Sequence, residues 1–126
     1  MSIVIRDVLV DFNSGATFFN HLADHVTLEF PYGAVLGAPT RIEGKTAVTR
    51  HLAGLQRAGL TLAEPDSIAE PKDGGHLAEY MGRYPDGKGN TVDSLLVSRI
   101  EHAHGLITLI REFWNTKQLH DIAAGD

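Results

Sequence analysis

Cysteine is absent from this 126-residue chain. Disulfide staples, thiolate metal ligands and thiol nucleophiles are therefore excluded. Basic charge is scarce: 11 Lys and Arg stand against 16 Asp and Glu, for a net charge of −5. Phosphate binding needs a basic surface, so neither nucleic acid nor an anionic membrane is expected as a partner. No apolar run approaches the roughly 20 residues a membrane helix needs, and no basic stretch followed by an apolar one opens the chain as a signal peptide would. Internal repeats and low-complexity segments are also missing. Motifs for nucleotide loops (G-x-x-x-x-G-K-[ST], G-x-G-x-x-G) and for a serine elbow (G-x-S-x-G) do not occur. What remains is a chain that is 43% apolar, enough for one domain (residues 1–126) with one core, expected to be soluble and cytoplasmic.

The strongest local signal lies near the end. Leu106 to Trp114 is rich in β-branched and aromatic residues and reads as a strand. Simple alternation puts Ile107, Leu109, Arg111 and Phe113 on one face, and Leu106, Thr108, Ile110, Glu112 and Trp114 on the other. Glu112 is then a carboxylate in an apolar row, either at a wet sheet edge or in a cavity.

Earlier segments are consistent with an α+β fold. The spacing of Ile5, Val8, Leu9 and Phe12 predicts a short helix. Asn13-Ser14-Gly15 breaks it, and Ser14 is expected to cap a second helix through about Ala23, burying Phe18, Phe19 and Leu22. Val26 to Pro31 alternates as a strand. Residues 32–41 form a loop that is still apolar (Tyr32, Ala34, Val35, Leu36), suited either to packing on the core or to closing over a pocket.

A helix of about 14 residues follows Gly44-Lys45 and ends at Gly59, with His51 on its apolar stripe beside Val48, Leu52 and Leu55. A strand is expected within Leu60–Ile68, a turn at Pro71–Gly75, and strands at His76–Tyr84 and Thr91–Ile100 around a hairpin loop. Glu101–Gly105 turns into the last strand, and the chain from Thr116 reads as a polar, loose tail. The sum is two or three helices followed by an antiparallel meander: a curved sheet wrapped around helices.

Few side chains in this arrangement carry chemistry. His21 and His25 stand four apart in the expected helix, a metal-ligand spacing, but without the Glu of an H-E-x-x-H site they read as surface histidines and no metal is called for. His102 and His104 fall at a turn. His51 and Glu112 remain, each an ionisable group in an apolar row. If the helix crosses the sheet, they form an acid/base pair: a desolvated Glu has a raised pKa, and a nearby imidazole relays the proton.

Several runs resemble a known superfamily. These are Ala23-Asp24-His25-Val26-Thr27-Leu28-Glu29-Phe30-Pro31, Ile42-Glu43-Gly44-Lys45 with His51, Tyr84-Pro85-Asp86-Gly87, and Arg111-Glu112-Phe113-Trp114-Asn115 with Gln118-Leu119 just beyond. Together they resemble the SnoaL-like branch of the nuclear-transport-factor-2-like (NTF2-like) superfamily, and within it the phenazine-biosynthesis A/B family. The resemblance spans roughly residues 23–120. It implies a cone-shaped α+β barrel, a pocket between helices and sheet, and a homodimer.

It also implies acid/base roles for His51 and Glu112. The phenazine family's serine one helical turn after the histidine falls on Leu55, a departure. The steroid-isomerase branch fits less well, because Phe30, Leu96 and Ile5 occupy its three functional positions. The expected function is cofactor-free acid/base catalysis on an apolar cyclic or aromatic carbonyl or imine compound. Phe30, Tyr32, Leu55, Met81 and Trp114 would hold the substrate; Asp93 is a minor polar candidate that reads more readily as a strand residue exposed on the outer face. The alternative is a non-catalytic binding protein for a small hydrophobic ligand.

Overall fold

The computed structural model describes residues 4–71 and 75–123. Helix α1 spans Ile5–Asp11 and buries Ile5, Val8 and Leu9, the stripe its spacing predicts. The second helix does not form as expected. A short 3-10 turn at Phe12–Ser14 is followed by another at Ala16–His21, and strand β1 begins at Leu22 and runs to Glu29. Gly15, with φ +90°, takes the position before the second turn. Ser14 is therefore not a helix cap; its hydroxyl turns back to the Asp11 carboxylate. Leu22 is drawn into the sheet opposite Ile107, and its burial outweighs helix continuation.

The remaining elements are a 3-10 turn at Gly33–Leu36 within the expected 32–41 loop, β2 (Arg41–Glu43), α2 (Lys45–Arg57), β3 (Thr61–Leu62), β4 (Ser67–Ala69), β5 (His76–Pro85), β6 (Thr91–Ala103), β7 (Leu106–Trp114) and α3 (Thr116–Ala123). The turn expected at Pro71–Gly75 falls mostly outside the described residues. Among the described residues no helix is long and apolar enough to cross a membrane. The tail expectation is corrected: Thr116–Ala123 is a helix, because the Asn115 side-chain oxygen accepts the Gln118 backbone N–H at 3.0 Å and caps its first turn.

The seven strands form one sheet in the order β2-β1-β7-β6-β5-β3, with β4 pairing β5. All pairings are antiparallel except β1 with β7. The sheet curves around α1, the 3-10 turns and α2. Its concave side supplies Leu28, Phe30, Tyr80, Leu96 and Ile110 to one core shared with Val48 and Leu52 of α2. Each such side chain contributes about 1.5–3 kcal/mol by leaving water.

Strand β7 departs from simple alternation. Ile107 pairs with His102 and Leu109 with Glu101, consecutive residues on β6, so Thr108 is an extra residue. This bulge puts both Ile107 and Ile110 in the core. The expected grouping of Ile107 with Leu109, Arg111 and Phe113 is therefore corrected. Beyond the bulge Glu112 and Trp114 point inward. Leu109, Arg111 and Phe113 point outward, where Arg111 Nε donates to Glu29 Oε1 at 2.7 Å.

At the other end of α2, Gly59 has φ +99°, and a Cβ there would lie 2.8 Å from the Pro85 ring. The position thus needs glycine both for its left-handed backbone and for close approach to β5.

Candidate active site

Two neighbouring spaces lie between α2, the concave face of the sheet and the covering segments. The larger, about 310 Å3, is lined by His51, Leu55, Tyr84, Glu112 and Trp114, with Leu36, Ala38, Leu119 and Ile122 over them. The smaller, about 30 Å3, lies deeper against Phe12, Phe18 and Tyr80. Leu55, Leu60 and Glu112 border both, so Glu112 stands at their junction. A depression of about 980 Å3 along α1 is larger, but it lies open to water beside Asp7, Asp11 and Glu64. The groups whose pKa values burial shifts, His51, Tyr84 and Glu112, line the pair instead.

Glu112 reaches this cavity from β7, and burial among apolar neighbours pushes its carboxyl up to about 7. The adjacent Trp114 side chain, through hydrogen bonding to the carboxylate, opposes that shift. Near neutral pH both its protonated and ionised forms are therefore accessible, which suits a carboxyl that gives and takes protons. His51 comes from α2, and burial holds its pKa below the ordinary histidine value. Its ring lies 5.3 Å from that of Phe30, which is itself 4.5 Å from the Trp114 ring. Fully buried Phe30 is thus a wedge that sets the orientation of both His51 and Trp114.

Beneath Glu112 is a polar seam. Ser98 is its register partner on β6, and Ser98 Oγ is 2.6 Å from Tyr80 Oη, both side chains being buried. Burial, reinforced by the Glu112 charge, raises the pKa values of Tyr80 and Tyr84, keeping both phenols neutral.

The cavity brings together four of the residues singled out from sequence: His51, Leu55, Glu112 and Trp114, with Phe30 packed behind. Three others lie elsewhere. Met81 falls between inward-facing Tyr80 and Gly82, so β5 alternation turns it to the outer face. Asp93 is exposed on that face, 3.6 Å from Arg83. Tyr32 is 56% exposed and meets the Phe113 ring from outside at 6.0 Å. The paired-histidine spacing does not survive folding. His21 ends a 3-10 turn and is bonded to Asp11 at 2.9 Å, whereas His25 is exposed on β1. His102 is partly shielded, its ring stacked on that of His76 at 5.2 Å.

Tyr80, Tyr84, Leu119 and Ile122 were not expected to line the site, although Tyr84 and Leu119 stand in the runs that carry the family resemblance. The two tyrosines share the inward phase of β5 with Ala78 and Gly82, a parity the sequence already contained. For α3, the signals were Asn115 three residues before Gln118 and the one-face spacing of Leu119 and Ile122. The apolar 32–41 loop does contribute cover, through Leu36 and Ala38.

Comparison with solved structures decides the fold. A Bacillus subtilis protein provisionally described as an isomerase superposes with TM-score 0.82 at 23% identity, over 97% of this chain and 91% of that one. An NTF2-like protein of unknown function from Burkholderia pseudomallei gives 0.75 at 17% identity, over 94% and 92%. The chain has the NTF2-like fold. SalBIII, an epoxide hydrolase/cyclase-like enzyme of pyran ring formation in the polyether salinomycin, shares that fold with TM-score 0.73 at 18% identity, over 90% and 88%. No family model and no curated protein matches the sequence. Within the NTF2-like frame, the cavity between α2 and the concave sheet is the space that holds His51 and Glu112.

Proposed function

We propose that the protein is a SnoaL-like small-molecule enzyme that performs acid/base catalysis with its own side chains on an apolar cyclic or aromatic carbonyl or imine compound. The observation that carries this reading is that Glu112, with a carboxyl poised near neutrality, and His51, held neutral, line one apolar cavity. Ionised Glu112 removes a proton from a carbon next to the carbonyl or imine. The electron pair moves onto the heteroatom, and the proton is returned from Glu112 to another carbon, or to a leaving oxygen in a lyase or cyclase. His51 relays that proton or binds the heteroatom. An isomerisation of this kind needs no oxidant and leaves the protein unchanged. The name of SalBIII supports a cyclase or related reaction in this fold, and the sequence resemblance to the phenazine-biosynthesis family supports the same two residues.

The test uses NMR of cyclic ketones such as 1-tetralone in deuterated buffer. Enzyme-dependent deuterium incorporation next to the carbonyl, abolished by Glu112→Gln in a folded variant, is expected. Unchanged incorporation in that variant rules out its role.

Leu55 favours a second reading. The phenazine family's serine position is apolar here, which fits a protein that binds a hydrophobic ligand without altering it. Binding without any exchange would establish that alternative.

A homodimer is part of the same proposal. Leu95, 44% exposed, and Leu77, 37% exposed, lie on the convex face of the sheet, where they are available to a second copy.

A further inference from the structure

The catalytic reading leaves one cavity group unused. Tyr84 projects from β5 into the larger cavity beside Glu112. Its ring lies across Gly82, where a Cβ would come within 2.9 Å of Tyr84 Cε1 and 3.1 Å of Leu96 Cδ1. The glycine is thus the space into which the tyrosine ring is laid. The Tyr80 hydroxyl is committed to Ser98 at 2.6 Å. No hydrogen-bond partner is found for the Tyr84 hydroxyl among the described residues, and unlike the Thr49 and Ser94 hydroxyls it is not fully buried. A phenol at an apolar cavity wall with no protein partner keeps its O–H free to donate to a ligand.

Charge defines the ligand further. Among the described lining residues the ionisable side chains are His51, Tyr84 and Glu112, and none is Lys or Arg. The Arg111 guanidinium next to Glu112 in sequence is on the opposite face, ion-paired with Glu29. An anionic ligand would enter an apolar space with no counter-ion, beside a carboxyl that it would repel.

We propose that Tyr84 is a catalytic residue that donates a hydrogen bond to the oxygen of an uncharged cyclic ligand, and that the cavity selects neutral carbonyl compounds against carboxylates. This rests on the acid/base reading above and deepens it. Tyr84 holds the oxygen on which negative charge grows as Glu112 removes the neighbouring proton, and His51 is left for proton relay. A neutral phenol strengthens such a bond as the oxygen gains charge, which favours the transition state over the bound ketone.

The test uses the full chain at pH 8 with carbonyl-13C-labelled 1-tetralone and, as the anionic counterpart of similar size, 1-naphthoate. The wild-type protein should bind 1-tetralone at least about tenfold more tightly than 1-naphthoate, and the infrared band of the bound carbonyl should lie at lower frequency than in an apolar solvent. Tyr84→Phe should raise that frequency and weaken binding about tenfold, the loss of one hydrogen bond. Gly82→Ala, which displaces the ring, should shift the band in the same direction, with thermal unfolding confirming that both variants fold.

Equal or tighter binding of 1-naphthoate, absence of 1-tetralone binding by the wild type, or an unmoved carbonyl band in Tyr84→Phe each overturns the proposal. Failure of the Glu112 assignment is distinct: Glu112→Gln would then retain deuterium exchange while Tyr84→Phe still moved the band.

Discussion

Ile107 and Ile110 lie three positions apart on one strand, yet both are buried on the same side of the sheet. Unbroken alternation would send Glu112 to the face opposite Ile107. The extra residue Thr108 reverses the phase, so β7 fills the core at its start and presents an acid to a cavity at its end. Deleting Thr108 should force either Ile107 or the Ile110/Glu112 row outward. Urea unfolding should show a loss of about 3 kcal/mol or more, comparable to losing a large buried side chain. Thr108→Ala, which keeps the count of residues, should cost less than about 1 kcal/mol.

The raised pKa of Glu112 makes a signed prediction about stability. Its folded value of about 7 lies above the ordinary 4.5, so between those values the folded state holds more protons than the unfolded one. Stability must therefore fall as pH rises from about 4.5 to 7, then level off, by on the order of 2–3 kcal/mol. Glu112→Gln removes this loss. Thermal melts should show the variant more stable than wild type at pH 8 and nearly equal to it at pH 4.5. His51, with a lowered pKa, acts in the opposite sense: its contribution is present above the ordinary histidine value and is lost as pH falls below it.

The Tyr80–Ser98 pair should behave as one unit. Ser98→Ala leaves a buried phenol hydroxyl without a partner and should cost about 1–3 kcal/mol. Tyr80→Phe leaves the smaller hydroxyl unpaired. The double variant should be less destabilised than the sum of the two, a coupling that a double-mutant cycle in urea measures directly.

Helix α3 should govern ligand access rather than folding. Leu119 and Ile122 cover the cavity, and the helix is tied to the sheet by Gln118 Nε2 donating to the Asp93 carbonyl at 3.0 Å. Ile122→Asp should weaken binding of a neutral cyclic ketone about tenfold or more, while shifting the unfolding midpoint little, because the main core lies beneath α1 and α2. Calorimetric titration alongside thermal melts checks both halves.

On the convex face, Leu95→Asp should convert a dimer to monomers if Leu95 and Leu77 lie in a self-association surface. Light scattering reads the mass directly, and an unchanged dimer mass would place the interface elsewhere.

Much of this was legible before any coordinates. Period and breakers located α1, α2 and the long strands, and the apolar setting of His51 and Glu112 marked both. Three physical facts hid the rest. The stretch 16–23 has helical apolar spacing, but pairing of Leu22 with Ile107 across the chain overrides it. A bulge such as that at Thr108 is set by the partner strand and leaves no local mark. Short α3 has few apolar residues, and its burial comes from a cavity that exists only after the sheet has formed. Met81 was placed by type rather than by strand parity, which turns it outward, whereas the outer-face reading of Asp93 follows from its alternation with Val92, Ser94 and Leu96.

The most direct measurement is the titration of Glu112 itself, by 13C NMR of the side-chain carboxyl in protein labelled at glutamate, with Glu112→Gln identifying the resonance. A midpoint near 7 is expected, displaced when a neutral cyclic ketone fills the cavity. A midpoint near 4.5, unmoved by ligand, would mean that the carboxyl is solvated and that the cavity carries no poised acid.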